Sequence, residues 1–259
     1  MDLGIRGKKA IVCASSRGLG KGCAMALAEA GCDLTVNGRD EKVLARTATE
    51  IRDRFGVEVA EVPGDVADPA IQRQLLAAAP QVDILVNNNG GPPYRPFSEL
   101  NRDSILKGVT NNMVAPLELV QAVIGGMADR GFGRIVNITS LSVYVPIPGL
   151  DLSSGARAGL TSFLAGVART VADKNVTINH MLPGKLDTDR LRVPHEPGTV
   201  EDPAAGAARR ARLAADVPAK RLGSPEEFGQ VCAFLCSVHA GYLTGQNIMI
   251  DGGLYVSAF

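Results

Sequence analysis

A chain of 259 residues with 46% apolar side chains can bury a substantial core, and its 27 basic and 27 acidic residues cancel. That balance argues against a nucleic-acid surface or an acidic tail and favours a small-molecule role. Five cysteines without zinc spacing, all in apolar segments, and the lack of any run near the roughly 20 apolar residues of a membrane span predict a soluble protein of the reducing cytoplasm.

Short β-branched runs alternate with longer helical patterns, which predicts an α/β fold, a Rossmann-type doubly wound parallel sheet with helices on both faces. Strands are expected at 10–13, 34–37, 57–62, 84–87, 135–138, 176–181 and 248–250, seven in all. Helices are expected at 19–30, 41–54, 70–78, 103–127, 154–172 and 226–237. In the first, Leu19, Cys23, Ala26, Leu27 and Ala30 share one face, and Gly31 supplies a C-cap. The pattern reads as one domain over 1–259, interrupted at 189–221 by a Pro-, Ala- and Arg-rich stretch without strands. Pro194, Pro197 and Pro203 break its first part and 204–215 can form a short helix, so it is read as a substrate lid.

The chemistry starts between the first strand and helix, where Cys13-Ala14-Ser15-Ser16-Arg17-Gly18-Leu19-Gly20 makes a turn of small residues. Small side chains let backbone N–H groups approach a pyrophosphate at a helix N-terminus. The second strand ends in Asn37-Gly38-Arg39. A carboxylate there would accept from a ribose 2′-OH, whereas the Arg39 fork, with Arg17 in the turn, suits a 2′-phosphate and favours NADP(H) over NAD(H). The competing reading makes Arg39 a solvated residue and Asp40 a selector of NAD(H).

The turn resembles the Thr-Gly-x-x-x-Gly-x-Gly of the short-chain dehydrogenase/reductase family, in particular its 3-oxoacyl-acyl-carrier-protein reductase-like members. Cys13 stands for the Thr and Ala14 for the first Gly, and since Ala tolerates positive φ poorly a slightly reshaped turn is expected. Further matches follow in family order over roughly 4–256. Asp65-Val66 matches an adenine contact, and Asn87-Asn88-Asn89-Gly90 resembles Asn-Asn-Ala-Gly. Asn112 matches the helix Asn of a water and proton relay. Pro183, Gly184 and Thr188 match the loop around the nicotinamide, and Tyr242-Leu243-Thr244-Gly245-Gln246 with Asp251-Gly252-Gly253 matches the C-terminal ending. The resemblance implies cofactor contacts from Ala14, Ser16, Arg17, Gly18, Leu19, Gly20, Arg39, Asp65, Val66, Asn87, Asn88, Gly90, Arg157, Pro183, Gly184 and Thr188. It also implies a homotetramer, with one interface near Asn112 and Gly155 and another at the C-terminal segment.

The departure lies in the catalytic set. The family uses a Ser to polarise the carbonyl, a Tyr to donate the proton and a Lys to lower the Tyr pKa and hold the ribose. Ser140 matches the Ser, but Ser153 stands at the Tyr position and Arg157 at the Lys position. A serine hydroxyl is a poor general acid, and Arg157 keeps the charge without readily exchanging a proton. Tyr144, four residues past Ser140, and Lys185, after Pro183-Gly184, are substitute donors, with an aromatic lid and a solvated loop charge as their plainer readings. The expected function is an NADP(H)-dependent oxidoreductase interconverting a ketone and a secondary alcohol through an atypical centre of Ser140, Tyr144, Ser153, Arg157 and Asn112. A dinucleotide-binding sensor, an inactive partner subunit and a redox-neutral lyase stand as alternatives. Gly90-Gly91-Pro92-Pro93-Tyr94 and 146–149 would frame a stiff pocket, and Arg157, Lys185 and the lid arginines would attract an anionic substrate. His180 reads as a core histidine, and no metal motif is present.

Overall fold

The computed structural model describes residues 1–92, 94–192 and 203–257. Its strands are β1 (Lys9–Val12), β2 (Asp33–Gly38), β3 (Val59–Pro63), β4 (Ile84–Asn87), β5 (Gly133–Ile138), β6 (Val176–Pro183) and β7 (Asn247–Ile250). They form one seven-stranded sheet in the order β3-β2-β1-β4-β5-β6-β7 with every pair parallel. The order reverses between β1 and β4, and a crevice at the carboxyl ends of the strands at such a switch point is where open α/β sheets bind ligands.

The helices are α1 (Gly18–Glu29), α2 (Glu41–Phe55), α3 (Pro69–Ala78), α4 (Arg102–Val109), α5 (Ala115–Asp129), α6 (Asp151–Val171), α7 (Asp189–Arg192), α8 (Pro203–Ala215) and α9 (Pro225–Leu235). Asp40 caps α2 by accepting from the Val43 N–H at 3.1 Å, and Gly56 ends it in the left-handed region. Because side chains alternate across a strand, Ala10 and Val12 pack with α1, α2 and α9 on one face, while Ile11 and Cys13 join the core under α3, α5 and α6 on the other. All five cysteines are buried free thiols, in keeping with their apolar settings. No helix among the described residues is long and apolar enough to cross a membrane.

One expectation needs correction. The single helix expected at 103–127 is two helices joined by a π-helical turn, Thr110–Val114. The apolar pattern runs through this extra-residue bulge without a break, so periodicity does not reveal it. The stretch at 189–221 holds α7 and α8, the latter over the segment expected to be helical, and an isolated parallel bridge, Leu186 to Gly223, joins the residues that flank it. Its proline-broken part, with Pro194 and Pro197, lies outside the described residues.

Across the middle of the sheet runs a polar row. Asn87 pairs in register with Asn137, Asn137 with His180, and His180 with Asn247. Asn87 Nδ2 donates to Asn137 Oδ1 at 2.9 Å, whereas neither ring nitrogen of the buried His180 has a hydrogen-bond partner among the described residues.

Candidate active site

At the start of α1 the backbone is drawn into a tight knot. Ala14 sits at φ 45°, its N–H donates to Asn37 Oδ1 at 3.1 Å, and its carbonyl accepts from Asn88 Nδ2 at 3.2 Å. The expected reshaping of the turn therefore does not occur, since Ala14 adopts a positive φ that its Cβ disfavours and neighbouring hydrogen bonds hold it there. Ala14→Gly is expected to raise stability by ~0.5–1 kcal/mol, the relief of the Cβ penalty less the added unfolded-state entropy, seen as a small rise in Tm on thermal unfolding. Gly20 is fixed by the same knot, because a Cβ there would lie 2.3 Å from the Ala14 carbonyl oxygen. Gly18 has φ 54° and lies under Thr188, whose Cγ2 is 3.6 Å from where a Cβ would stand. The loop that carries Pro183, Gly184 and Thr188 thus folds back over the turn, while Leu19 packs into the core of α1 and α9.

Basic side chains border this cradle. Arg17 and Asp40 form an exposed ion pair at 3.0 Å. Asp40 therefore serves both as the cap of α2 and as the partner of Arg17. The exposed Arg39 reaches across to the end of β4, with Nη2 3.9 Å from the Cβ position of Gly90. A groove beside the turn is lined by Ser16, Arg17, Gly18, Lys21, Arg46 and Thr47, among others. Thr47 Oγ1 secures it by donating to the Ser16 carbonyl at 2.9 Å. Arg46 was not among the expected site residues. Its position one turn after Val43 on α2 is the signal that could have found it. Val66 is buried, and the exposed Asp65 accepts from the Ala67 N–H at 3.0 Å.

The end of β4 is tied to the bulge after α4. Asn89 Nδ2 donates to the Asn111 carbonyl at 2.8 Å, an acceptor on the π-helical turn. Asn112 is buried, donates to the Gly108 carbonyl at 3.2 Å, and leaves Oδ1 without a hydrogen-bond partner among the described residues. This role of Asn89 was not legible, because the family position it matches is Ala.

Ser153 and Arg157 occupy one turn of α6 and both are buried. Arg157 donates from Nε to Ser153 Oγ at 3.1 Å, from Nη1 to the Ile138 carbonyl at 2.7 Å and from Nη2 to the Asn89 carbonyl at 3.2 Å. It thereby clamps α6 to the ends of β4 and β5, a more structural position than a free ribose ligand would have. Burial, and then the nearby Arg190, bring its pKa down to about 10. Ser140, at the end of β5, accepts from the Ser142 N–H at 3.1 Å, which leaves its own proton available.

Two proposed donors lie elsewhere. Tyr144 Oη accepts from Asn247 Nδ2 on β7 at 2.5 Å, and its ring meets Tyr255 at a centroid distance of 5.4 Å. Tyr144 therefore turns toward the β7 edge, while Ser153 and Arg157 face β4. Lys185 Nζ pairs with Asp216 at 2.9 Å inside the lid region. The described residues contain no His/Cys/Asp/Glu cluster suited to a metal ion.

Arg190, at the start of the lid, donates to the carbonyls of Gly91 and Pro92, both at 3.0 Å. A Cβ on Gly91 would stand 2.8 Å from Arg190 Nη2. The loop after β4 is thus gripped by two guanidinium groups, Arg157 on the Asn89 carbonyl and Arg190 on those of Gly91 and Pro92.

The comparisons agree with this architecture. A family model described as enoyl-(acyl carrier protein) reductase matches residues 13–255. Nodulation protein G of Azospirillum brasilense is 32% identical over 251 residues, covering 95% of this chain and 98% of that protein. The 3-oxoacyl-[acyl-carrier-protein] reductase of Vibrio cholerae is 31% identical over 254 residues, covering 98% of this chain and all of that protein, 100%. Among solved structures, L-sorbose reductase of Gluconobacter frateurii, complexed with NADPH and L-sorbose, superposes with a TM-score of 0.93 at 28% identity and covers 99% of this chain and 100% of that one. A 3-oxoacyl-(acyl-carrier-protein) reductase from Agrobacterium tumefaciens with NADP bound gives 0.87 at 27% identity, covering 97% of this chain and 95% of that one. With a matching family model over most of its length and a seven-stranded sheet in the expected order, the chain belongs to the short-chain dehydrogenase/reductase family.

Proposed function

We infer that the protein is an NADP(H)-dependent oxidoreductase that interconverts a ketone and a secondary alcohol through an atypical hydroxyl pair. The observation that carries this reading is the buried Arg157 donating both to Ser153 Oγ and to the carbonyl of Ile138, two residues before Ser140. Each serine oxygen already accepts a hydrogen bond, Ser153 from Arg157 and Ser140 from Ser142, so each hydroxyl proton can be directed at one substrate oxygen. Arg157 supports the charge that develops there without giving up a proton.

The cradle fits a dinucleotide. Gly20 and Gly18 permit close backbone approach at the N-terminus of α1, and Thr188 closes the turn from the opposite side. When bound, the nicotinamide supplies or accepts a hydride. For the 2′-phosphate, Arg17, Lys21 and Arg46 line one groove and Arg39 adds a further cation toward Gly90, while Asp40 is engaged by the α2 cap and Arg17. The relatives with NADPH or NADP bound support the same choice.

The substrate is expected to be anionic. Arg157 and Arg190 act on one another as two cations around the loop after β4, and among the described residues no carboxylate pairs with Arg157. A homotetramer is the assembly that fits the exposed apolar side chains. Ile105, Leu106, Val114 and Phe163 belong to α4, the bulge and α6, and Phe234, Tyr242, Leu243 and Met249 lie at the C-terminal end.

Titration with NADPH and NADH, followed by nicotinamide fluorescence, tests the cofactor. Arg39→Ala is expected to weaken NADPH about tenfold and leave NADH unchanged, in line with one lost phosphate contact. Failure to bind either dinucleotide would overturn the reading, as would ketone reduction that survives intact in Ser140→Ala.

A further inference from the structure

The geometry points to Tyr94 as the proton donor of this site, with Arg190 as the cation that faces its phenolate, a pair that stands in for the phenol and ammonium absent from α6. The assignment rests on the oxidoreductase reading above.

Tyr94 lies on the loop that Arg157 and Arg190 grip, two residues beyond the Pro92 carbonyl to which Arg190 donates at 3.0 Å. Its ring packs on Gly149, where a Cβ would stand 3.0 Å from Tyr94 Cδ1. The next residue, Arg95, donates its N–H to the Gly149 carbonyl at 3.1 Å and zips the two loops together. Gly149 has φ 79°, so a side chain at that position is disfavoured twice, by conformation and by the ring. Gly149 also lies two residues before the start of α6, the helix that carries Ser153, and Ser154 N–H donates back to the Leu150 carbonyl at 2.9 Å. The phenol is therefore carried to the approach to α6, on the same loop whose earlier carbonyl anchors Arg157.

The chemistry suits that placement. Tyr94 is partly buried and burial raises its pKa, while Arg190 acts in the opposite direction. A phenol so placed stays protonated through neutral pH yet remains far more acidic than the alcohol being formed, which is the requirement for an acid that protonates a developing alkoxide. In the reductive direction the carbonyl carbon takes a hydride, two electrons from the reduced dinucleotide, as the C=O π bond breaks. The carbonyl oxygen takes the phenolic proton of Tyr94. The phenolate left behind faces Arg190 and is reprotonated from solvent. Ser140 and Ser153 hold the oxygen during the transfer. Tyr144, directed at Asn247, plays no part in it.

Two readouts test the pair, one of them independent of turnover. In protein labelled with ¹³Cζ-tyrosine, the four tyrosines give separate titrations that Tyr94→Phe assigns. Arg190→Gln is expected to raise the Tyr94 midpoint by about half a pH unit or more, as loss of a neighbouring cation requires. In NADPH-dependent ketone reduction, Tyr94→Phe keeps the ring on Gly149 and is expected to lower kcat at least ~30-fold with NADPH affinity unchanged, a typical general-acid contribution. Tyr144→Phe is expected to lie within about threefold of wild type, because that phenol is turned toward Asn247 at the β7 edge. A Tyr94→Phe enzyme with wild-type kcat, or a Tyr94 midpoint indifferent to Arg190→Gln, overturns the pair while leaving the oxidoreductase reading in place. A wild-type protein that binds NADPH but reduces no ketone overturns both.

Discussion

Gly229→Ala is expected to cost more than about 3 kcal/mol of folding stability, enough to move the denaturation midpoint far below wild type. The cause is backbone against backbone. A Cβ on Gly229 would stand 2.1 Å from the Gly22 carbonyl oxygen and 2.5 Å from its carbon, and a Cβ on Gly22 would stand 2.1 Å from the Pro225 carbonyl oxygen. No rotamer change relieves such a contact, so α1 and α9 must separate. That separation opens the core in which Cys23, Ala26 and Leu27 meet Phe228, Cys232 and Ala233. Gly166→Ala is the control. Nothing lies within 4 Å of its Cβ position. On the exposed side of α6 the substitution is expected to add ~0.5–1 kcal/mol. Urea unfolding of the two variants separates a packing requirement from a general sensitivity of helical glycines.

The second large effect is a loss of stability with falling pH that traces to His180. Burial alone takes its pKa from 6.5 down to about 4. The ring is therefore neutral in the folded protein at pH 7. Between pH 6.5 and 4 the unfolded chain binds a proton that the folded chain does not, so stability falls as pH falls and levels off below the folded value. The full span corresponds to about 3 kcal/mol at 1.36 kcal/mol per unit. His180 sits in register between Asn137 and Asn247, where among the described residues nothing acidic compensates a charge on the ring. In His180→Leu this part of the slope is expected to vanish, and the difference between the two proteins' stabilities at pH 7 and pH 4.5 measures it. A slope unchanged by the substitution would assign the acid sensitivity to carboxylates instead.

The fold was largely legible because parallel strands buried on both faces must be written in apolar, β-branched residues. The run ending in Ile84-Leu85-Val86-Asn87 leaves little choice. The turn before α1 was legible for a related reason, since Gly20 meets a backbone carbonyl that tolerates no side chain and Gly18 sits at a positive φ. The conformation of Ala14 was not, because one residue type does not reveal that two distant side chains, those of Asn37 and Asn88, hold it at positive φ. Side-chain direction was less legible still. Tyr144 lies close to Ser140 in sequence, yet it turns to a strand edge 103 residues further along. Lys185 follows the cofactor loop but is taken by Asp216. Tyr94 was seen as part of a stiff pocket wall in Gly90-Gly91-Pro92-Pro93-Tyr94, and what it meets, Gly149 and Arg190, comes from segments far along the chain. Long-range pairings of this kind are set by the packed loops, which local pattern does not encode.

The π-helical turn at Thr110–Val114 has a consequence for the outer shape of the molecule. One inserted residue advances an α-helix by about 100°, so the bulge sets the rotational phase between α4 and α5. Downstream of it Leu119, Val120 and Val123 point into the core, while upstream Ile105 and Leu106 are turned outward. A continuous helix would carry one apolar stripe along its length. This one changes the side on which its stripe lies, so a single ribbon of chain lines the interior at one end and turns apolar side chains to the outside at the other, with Asn89 pinning the point of changeover.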